Sequence, residues 1–308
     1  MIKKMTLKKI SICVISVIAI LLLYMFPKND KLNVEENLEY IENNSSTIFL
    51  LDKNNYVAMA NVNIDDKNIK RKAKKLLLAL IQNEKYENNI PNGFRSIIPE
   101  GTKILNIDYK DNTLKVDFNK SLLNTNEEYE EKIIEAIVYT LTSIQDIKYV
   151  IIYIEGEILT HLPKSNINIP ATLDRSFGIN KQYNVNSDKN ITKTIVYYLG
   201  KDNDKEYYVP ITKVNNSKKK KAEIIIQELS NLPNDNLISY LNSNTEVVSI
   251  TEENNKLDLV LNEFIYDNID TLEVSDEVIN CIYLSMLDNY NIKSLTIKSK
   301  DKEIYKSN

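Results

Sequence analysis

One histidine, His161, and two cysteines, Cys13 and Cys281, are all that 308 residues offer toward metal ligation or thiol chemistry. A zinc centre needs a cluster of such ligands at short spacing, and a disulfide framework needs many paired cysteines, so neither is expected. His161 stands in Thr160-His161-Leu162-Pro163 with no acidic or sulfur cluster nearby and reads as a loop residue. Cys281 falls on the apolar face of a helical pattern and reads as a small buried side chain. Asp and Glu total 43, yet spacing alone sets no two of them as general acid and base. No catalytic, cofactor-binding or metal-binding residue is therefore assigned, and no cofactor is expected.

Other side chains suggest contact rather than catalysis. Arg175 follows Asp174 in a tail running to Asn180, where a planar guanidinium would clamp carbonyls or a carboxylate and fix the tail against its own domain. Tyr197 and Tyr198 sit on one strand pattern and Tyr207 and Tyr208 on the next. Such a ladder packs across strands or, if exposed, binds a glycan or a partner strand. The run Lys218-Lys219-Lys220-Lys221 is either a solvated helix start or a patch for anionic lipid or cell-wall polymer.

Composition narrows the classes further. The net charge of −4 argues against a nucleic-acid partner, which calls for a basic excess. The uncharged run Ile10–Phe26 would span roughly 25 Å as a helix, the short end of a bilayer core. Lys3, Lys4, Lys8 and Lys9 precede it, so the N-terminus is expected in the cytoplasm and the remainder outside. Tyr24-Met25-Phe26-Pro27 makes a poor cleavage site, and Cys13 lies inside the run rather than after it, so an uncleaved anchor is favoured over a signal peptide or a lipid-modified cysteine.

Beyond the anchor the sequence repeats. Strand patterns at Thr47–Leu51 and Tyr56–Val62, a helix with Ile69, Ala73, Leu76, Leu77 and Leu80 on one face, a hairpin about Asp111-Asn112, a second helix with Ile133, Ile137 and Leu141, and an apolar strand Tyr149–Ile154 follow in order. The same order returns with Thr194–Tyr198, Tyr207–Ile211, a helix with Ala222, Ile225 and Leu229, a hairpin about Asn254-Asn255, a helix with Val278, Ile282 and Met286, and Lys293–Ile297. The apolar run Tyr149–Ile154 predicts a strand covered on both faces. The expected fold class is α+β: two tandem small domains, each a mixed sheet packed against two helices, after a transmembrane helix. The boundaries are 1–28 for the cytoplasmic stub and anchor, 29–46 for a polar tether, 47–180 for the first domain, 181–192 for a linker and 193–308 for the second domain.

The stretches "TIFLLDKNNYVAM", "IIPEGTKILNIDYKDNTLKVDF", "IPATLDRSFGIN" and "KAEIIIQELSN" resemble those of the GerMN domain, the module named for sporulation and spore germination. The chain is similar to the tandem GerMN family over nearly everything after the tether. The resemblance singles out the turn at Pro99 and Gly101, replaced by Asn242-Ser243-Asn244 in the second copy, and the tail bearing Arg175 and Asn180. It implies modules like the ring-building units of secretion systems, each a small helix-and-sheet wedge. It also implies a non-enzymatic, membrane-anchored, extracytoplasmic scaffold or assembly factor in sporulation or germination. Its partners would be envelope or sporulation-complex proteins, possible homo- or hetero-oligomerisation included. The alternative is an extracytoplasmic module binding cell-wall glycan or a small ligand, with Tyr197 and Tyr207 as contacts.

Overall fold

Alternating side chains and a carboxylate set the first hairpin. β1 (Ser46–Asp52) pairs antiparallel with β2 (Val57–Val62). Asp52 closes the turn by accepting the N–H groups of Asn54 and Tyr56, both at 2.8 Å. Helix α1 (Ile69–Leu80) starts at Asn68, whose side chain accepts the N–H of Arg71, and buries Ala73, Leu76, Leu77 and Leu80. A two-residue strand, β3 (Phe94–Arg95), adds to the far edge of β1. The structure is a computed structural model and describes residues 45–83, 90–231 and 236–307.

The second half of the repeat is a four-stranded mixed sheet. β4 (Ile104–Lys110) and β5 (Thr113–Phe118) turn at Asp111 and Asn112, with φ of 50° and 58°, as a two-residue type I′ hairpin requires. Helix α2 (Glu127–Leu141) crosses over to β6 (Tyr149–Ile154), which runs parallel to β5 and is followed by β7 (Glu157–Ile158). The buried sides of β5 and β6 (Leu114, Val116, Phe118, Val150, Ile152) meet Ile133, Ile137 and Leu141 of α2 in one core. Each such aliphatic side chain taken from water contributes about 1.5–3 kcal/mol.

The order recurs. β8 (Gln182–Asn184) pairs parallel with β10 (Lys205–Asn216), which pairs antiparallel with β9 (Ile191–Asp202). Helix α3 (Lys221–Leu229), the hairpin β11 (Val247–Glu253) with β12 (Lys256–Leu261), helix α4 (Asp276–Asn289), β13 (Ser294–Ser299) and β14 (Lys302–Lys306) complete it. Asn254 and Asn255 repeat the left-handed turn at φ 52° and 60°. In both copies a β-bulge interrupts the edge strand at the same place, leaving Leu105 51% and Val248 65% exposed.

Several expectations change. Each repeat carries two sheets rather than one, a hairpin sheet and a four-stranded mixed sheet, because β1 and β9 pair with hairpin partners while the helices cover them. β6 is covered on one face only: Val150 and Ile152 are buried, but Tyr149 is exposed and Ile151 and Tyr153 are partly so. The segment 181–192 is not a bare connection, since it contains β8 and the start of β9. Lys221 is the first residue of α3, and its ammonium reaches the carbonyl of Asn289 at the C-terminal end of α4, where the helix dipole favours a cation. The anchor segment Ile10–Phe26 and most of the tether lie outside the described residues. Among those described, no helix is long and apolar enough to cross a membrane. The described residues form a single compact unit.

Candidate functional site

The helices close the open edges of the hairpins with buried hydroxyls. The N–H of Phe49 on β1 donates to Thr140 Oγ1 of α2 at 2.9 Å, and the N–H of Tyr197 on β9 donates to Ser285 Oγ of α4 at 2.9 Å. The two contacts are equivalent in the duplication. An edge N–H left unpaired in this core would cost about 1–3 kcal/mol, which accounts for a polar residue on an otherwise apolar helix face.

Three residues beyond each hydroxyl the copies differ, with Ser143 in the first and Asp288 in the second. Arg175, on the 3-10 turn Arg175–Phe177, lies between them. Its Nη1 donates to Asp288 Oδ1 at 2.6 Å and to Oδ2 at 2.9 Å, its Nη2 to Ser143 Oγ at 2.9 Å, and its Nε to Thr142 Oγ1 at 3.2 Å. Tyr197 completes the ring of contacts by donating its hydroxyl to Asp288 Oδ2 at 2.6 Å. The guanidinium also lies 4.9 Å from the centroid of Tyr139, whose hydroxyl donates to the Arg175 carbonyl. Burial works against the charge on Arg175, but the facing Asp288 carboxylate, with the oxygens of Tyr197 and Tyr139, together outweighs it and holds the guanidinium pKa above its ordinary value. Burial, reinforced by Asp288, pushes the phenols of Tyr139 and Tyr197 well up, so both remain neutral donors. The clamp was expected to hold the tail to its own domain, and it does so through Thr142 and Ser143; it also reaches Asp288 of α4, so it joins the end of α2 to the other repeat.

Asn180 performs the second join. Its side-chain oxygen accepts the N–H of Val57 on β2 at 2.9 Å, and its amide donates to the carbonyls of Val57 at 2.9 Å and Pro210 at 2.8 Å. One amide thus plugs the gap between β2 and β10, at a place where Pro210 has no N–H to offer. A φ of 47° aims it there, which asparagine tolerates better than most residues. The N–H of Asn180 donates to Glu135 Oε2 at 2.9 Å, and Lys181 sits 2.9 Å from both Glu135 and Glu131. Burial pushes the Glu135 carboxyl up, with Lys181 pulling the other way.

A third contact lies at the hairpin tips. Tyr207 donates its hydroxyl to Asp52 Oδ2 at 3.0 Å and packs edge-on to Phe94 with ring centroids 4.8 Å apart. Its ring also lies over Gly200, where a Cβ would meet Tyr207 Cε2 at 2.4 Å. Of the two readings of the tyrosines, packing within the fold holds and an exposed ladder does not. Tyr197, Tyr198 and Tyr207 are buried, because β9 and β10 have helices on one face and the other repeat on the other. Tyr197 and Tyr207 cannot present a glycan-binding face.

The structure brings Arg175, Asn180, Tyr197 and Tyr207 together on one seam and leaves Pro99 and Gly101 apart from it. Those two form a turn ahead of β4, with Gly101 at φ 81°, the Thr102 N–H donating to the Pro99 carbonyl, and the Asn119 side chain donating to the Gly101 carbonyl. In the second copy Thr245 N–H donates to Asn242 and the Asn262 side chain to the Asn244 carbonyl, so the turn persists, and none of residues 242–244 takes a positive φ. The partners Asp52, Glu135, Lys181 and Asp288 were not singled out in the sequence. Only the Ser143-to-Asp288 difference between the copies marks one of them. His161 is exposed, with Nδ1 3.4 Å from Asn168 Oδ1. Among the described residues no group of His, Cys, Asp or Glu side chains is arranged to hold a metal ion. The chemistry this arrangement performs is that of a clamp, with the polar atoms of the seam directed at one another.

Comparison with known proteins follows the same outline. The family model described as sporulation and spore germination matches residues 47–160. The spore germination protein GerM of Bacillus subtilis (strain 168) is 32% identical over 263 residues, covering 83% of this chain and 71% of GerM. The solved tandem GerMN domains of the sporulation protein GerM from Bacillus subtilis match with a TM-score of 0.76 and 30% identity, over 84% of this chain and 91% of that one.

Proposed function

The chain belongs to the sporulation and spore germination family of GerMN-domain proteins, and from that premise we propose that it is a membrane-anchored, extracytoplasmic scaffold that assembles envelope or sporulation proteins by direct contact. The observation that carries this reading is the seam. Arg175, Asn180 and Tyr207 pin the two repeats at three places, so the faces each repeat turns outward keep a fixed spacing. A part that positions partners relative to one another needs that rigidity, whereas a loose pair of domains would not supply it. The uncharged run Ile10–Phe26 supports anchoring, and the lysines before it support a cytoplasmic N-terminus. The bulged apolar residues Leu105 and Val248, on edge strands of both copies, are the first places to look for partner contact.

A fluorescent fusion in sporulating cells tests the proposal, with protease shaving of intact cells to read topology. Concentration at the membrane around the developing spore, together with a sporulation or germination defect on deletion, is the expected result. Even distribution over the envelope with normal spores, or a C-terminus protected inside the cell, would count against it.

A further inference from the structure

A cleft of about 360 Å³ opens where the tail of the first repeat meets β8 and β9. Its volume lies within the usual range for small-ligand sites, about 300–1,000 Å³. Phe177 lines it, with the Lys181 ammonium 3.7 Å from its ring centroid. Tyr183, on β8, also lines it and is 68% exposed. Lys181 is itself only 6% exposed and is held in place by Glu131 and the buried Glu135. Both repeats contribute to the lining, so the seam that pins the repeats also fixes the shape of the cleft.

Glu131 and Asp174 line the cleft opposite Lys181 and Lys193, and the buried Glu135 adds a third carboxylate against Lys181. Lys181 is taken up by two carboxylates, so no buried ammonium of the lining is left to recruit an anion. What remains is an aromatic face open to solvent beside groups that both donate and accept hydrogen bonds. A neutral, polyhydroxylated ring fits that combination: its C–H face stacks on an aromatic, and its hydroxyls act as donors and acceptors at once. We infer that the cleft binds a sugar ring of a glycan strand, with Tyr183 as the stacking ring and Glu131 and Lys193 as hydrogen-bonding partners. The site is separate from Tyr197 and Tyr207, which are buried in the seam. The inference does not depend on where the chain is anchored or on what it assembles.

Saturation-transfer NMR on the full chain in detergent micelles tests it, with an N-acetylglucosamine tetramer as the probe. The expected result is transfer to the sugar-ring protons and a loss of affinity of roughly tenfold for Tyr183→Ala, the scale of one aromatic contact. Lys193→Ala weakens binding less. Tyr240→Ala, at a tyrosine 47% exposed and outside the cleft, leaves it unchanged. No transfer to the tetramer, equal affinity for Tyr183→Ala, or transfer to a peptidoglycan stem peptide but not to the tetramer would each overturn the inference. A fusion that fails to localise bears on the scaffold proposal and leaves this binding result standing.

Discussion

The guanidinium of Arg175 and the carboxylate of Asp288, 113 residues apart in sequence, lie 2.6 Å apart across the seam between the two repeats. Asp288 is 5% exposed and Arg175 26% exposed. Replacing Arg175 strands a nearly buried carboxylate among tyrosines. Arg175→Met is expected to cost about 3 kcal/mol, the lower end for breaking a buried pair, as read from denaturant unfolding. Lysine at 175 should recover little, since it cannot reach Asp288, Ser143 and Thr142 with one planar fork. The double variant Arg175→Met, Asp288→Leu should be more stable than Arg175→Met alone. An additive double variant would show that the pair is not coupled.

Asn180 offers a sharper test of geometry. Asn180→Asp keeps the acceptor for the Val57 N–H but loses the donors to the Val57 and Pro210 carbonyls and aims a charge at them. A loss of about 2–3 kcal/mol is expected, and Asn180→Ala should lose a similar amount through unpaired backbone groups. Unfolding by urea with an unchanged m-value would confirm that stability alone has moved.

Asp52 gives a pH signature. Burial raises its pKa above the ordinary 3.8, against the N–H of Tyr56 and the hydroxyl of Tyr207. The folded state therefore holds this proton more tightly than the unfolded chain does. Its contribution is complete below about pH 3.8 and is lost as pH rises through the folded pKa. Asn at this position keeps the acceptor for the turn and cannot ionise. The stability of Asp52→Asn relative to wild type should rise as pH increases from 3 toward neutrality and then level off. A difference that stays flat across that range in Tm-versus-pH scans would refute the assignment.

Gly200 and Gly156 form a matched pair. A methyl group at Gly200 would press into the Tyr207 ring at 2.4 Å, whereas at Gly156 it would meet nothing within 4 Å. Gly200→Ala is expected to destabilise by about 1–3 kcal/mol through overpacking. Gly156→Ala should cost only the strain of its φ of 90°, about 1 kcal/mol. Thermal unfolding of the two variants in parallel checks the order.

Much of the architecture was legible because the two periodicities are strong and the turns carry their own chemistry. Asp111-Asn112 and Asn254-Asn255 announce type I′ hairpins, and both adopt them. The seam was harder to read. The apolar runs Tyr149–Ile154 and Thr194–Leu199 carry the same signal, yet only the second is covered on both faces, since the other repeat packs against it. Nothing within one strand reports which runs find a partner. Arg175 could be recognised as a clamp because its extended, polar setting left it nothing local to hold. Its target was missed, although Asp288 lies in the last turn of α4, where the helix dipole disfavours a carboxylate and so marks it as held by something else. Asn180 is legible as a residue fit for a positive φ, but its double role for β2 and β10 exists only once those strands meet.

The contrast between Ser143 and Asp288 has a consequence for the order of the two copies. The two modules divide one ion pair between them: the leading one supplies the cation, and the trailing one the acid that receives it. A chimera of two leading modules would bring two arginines and no acid, and one of two trailing modules an acid with nothing to greet it. The copies have become left and right gloves, and their order along the gene can no longer be exchanged.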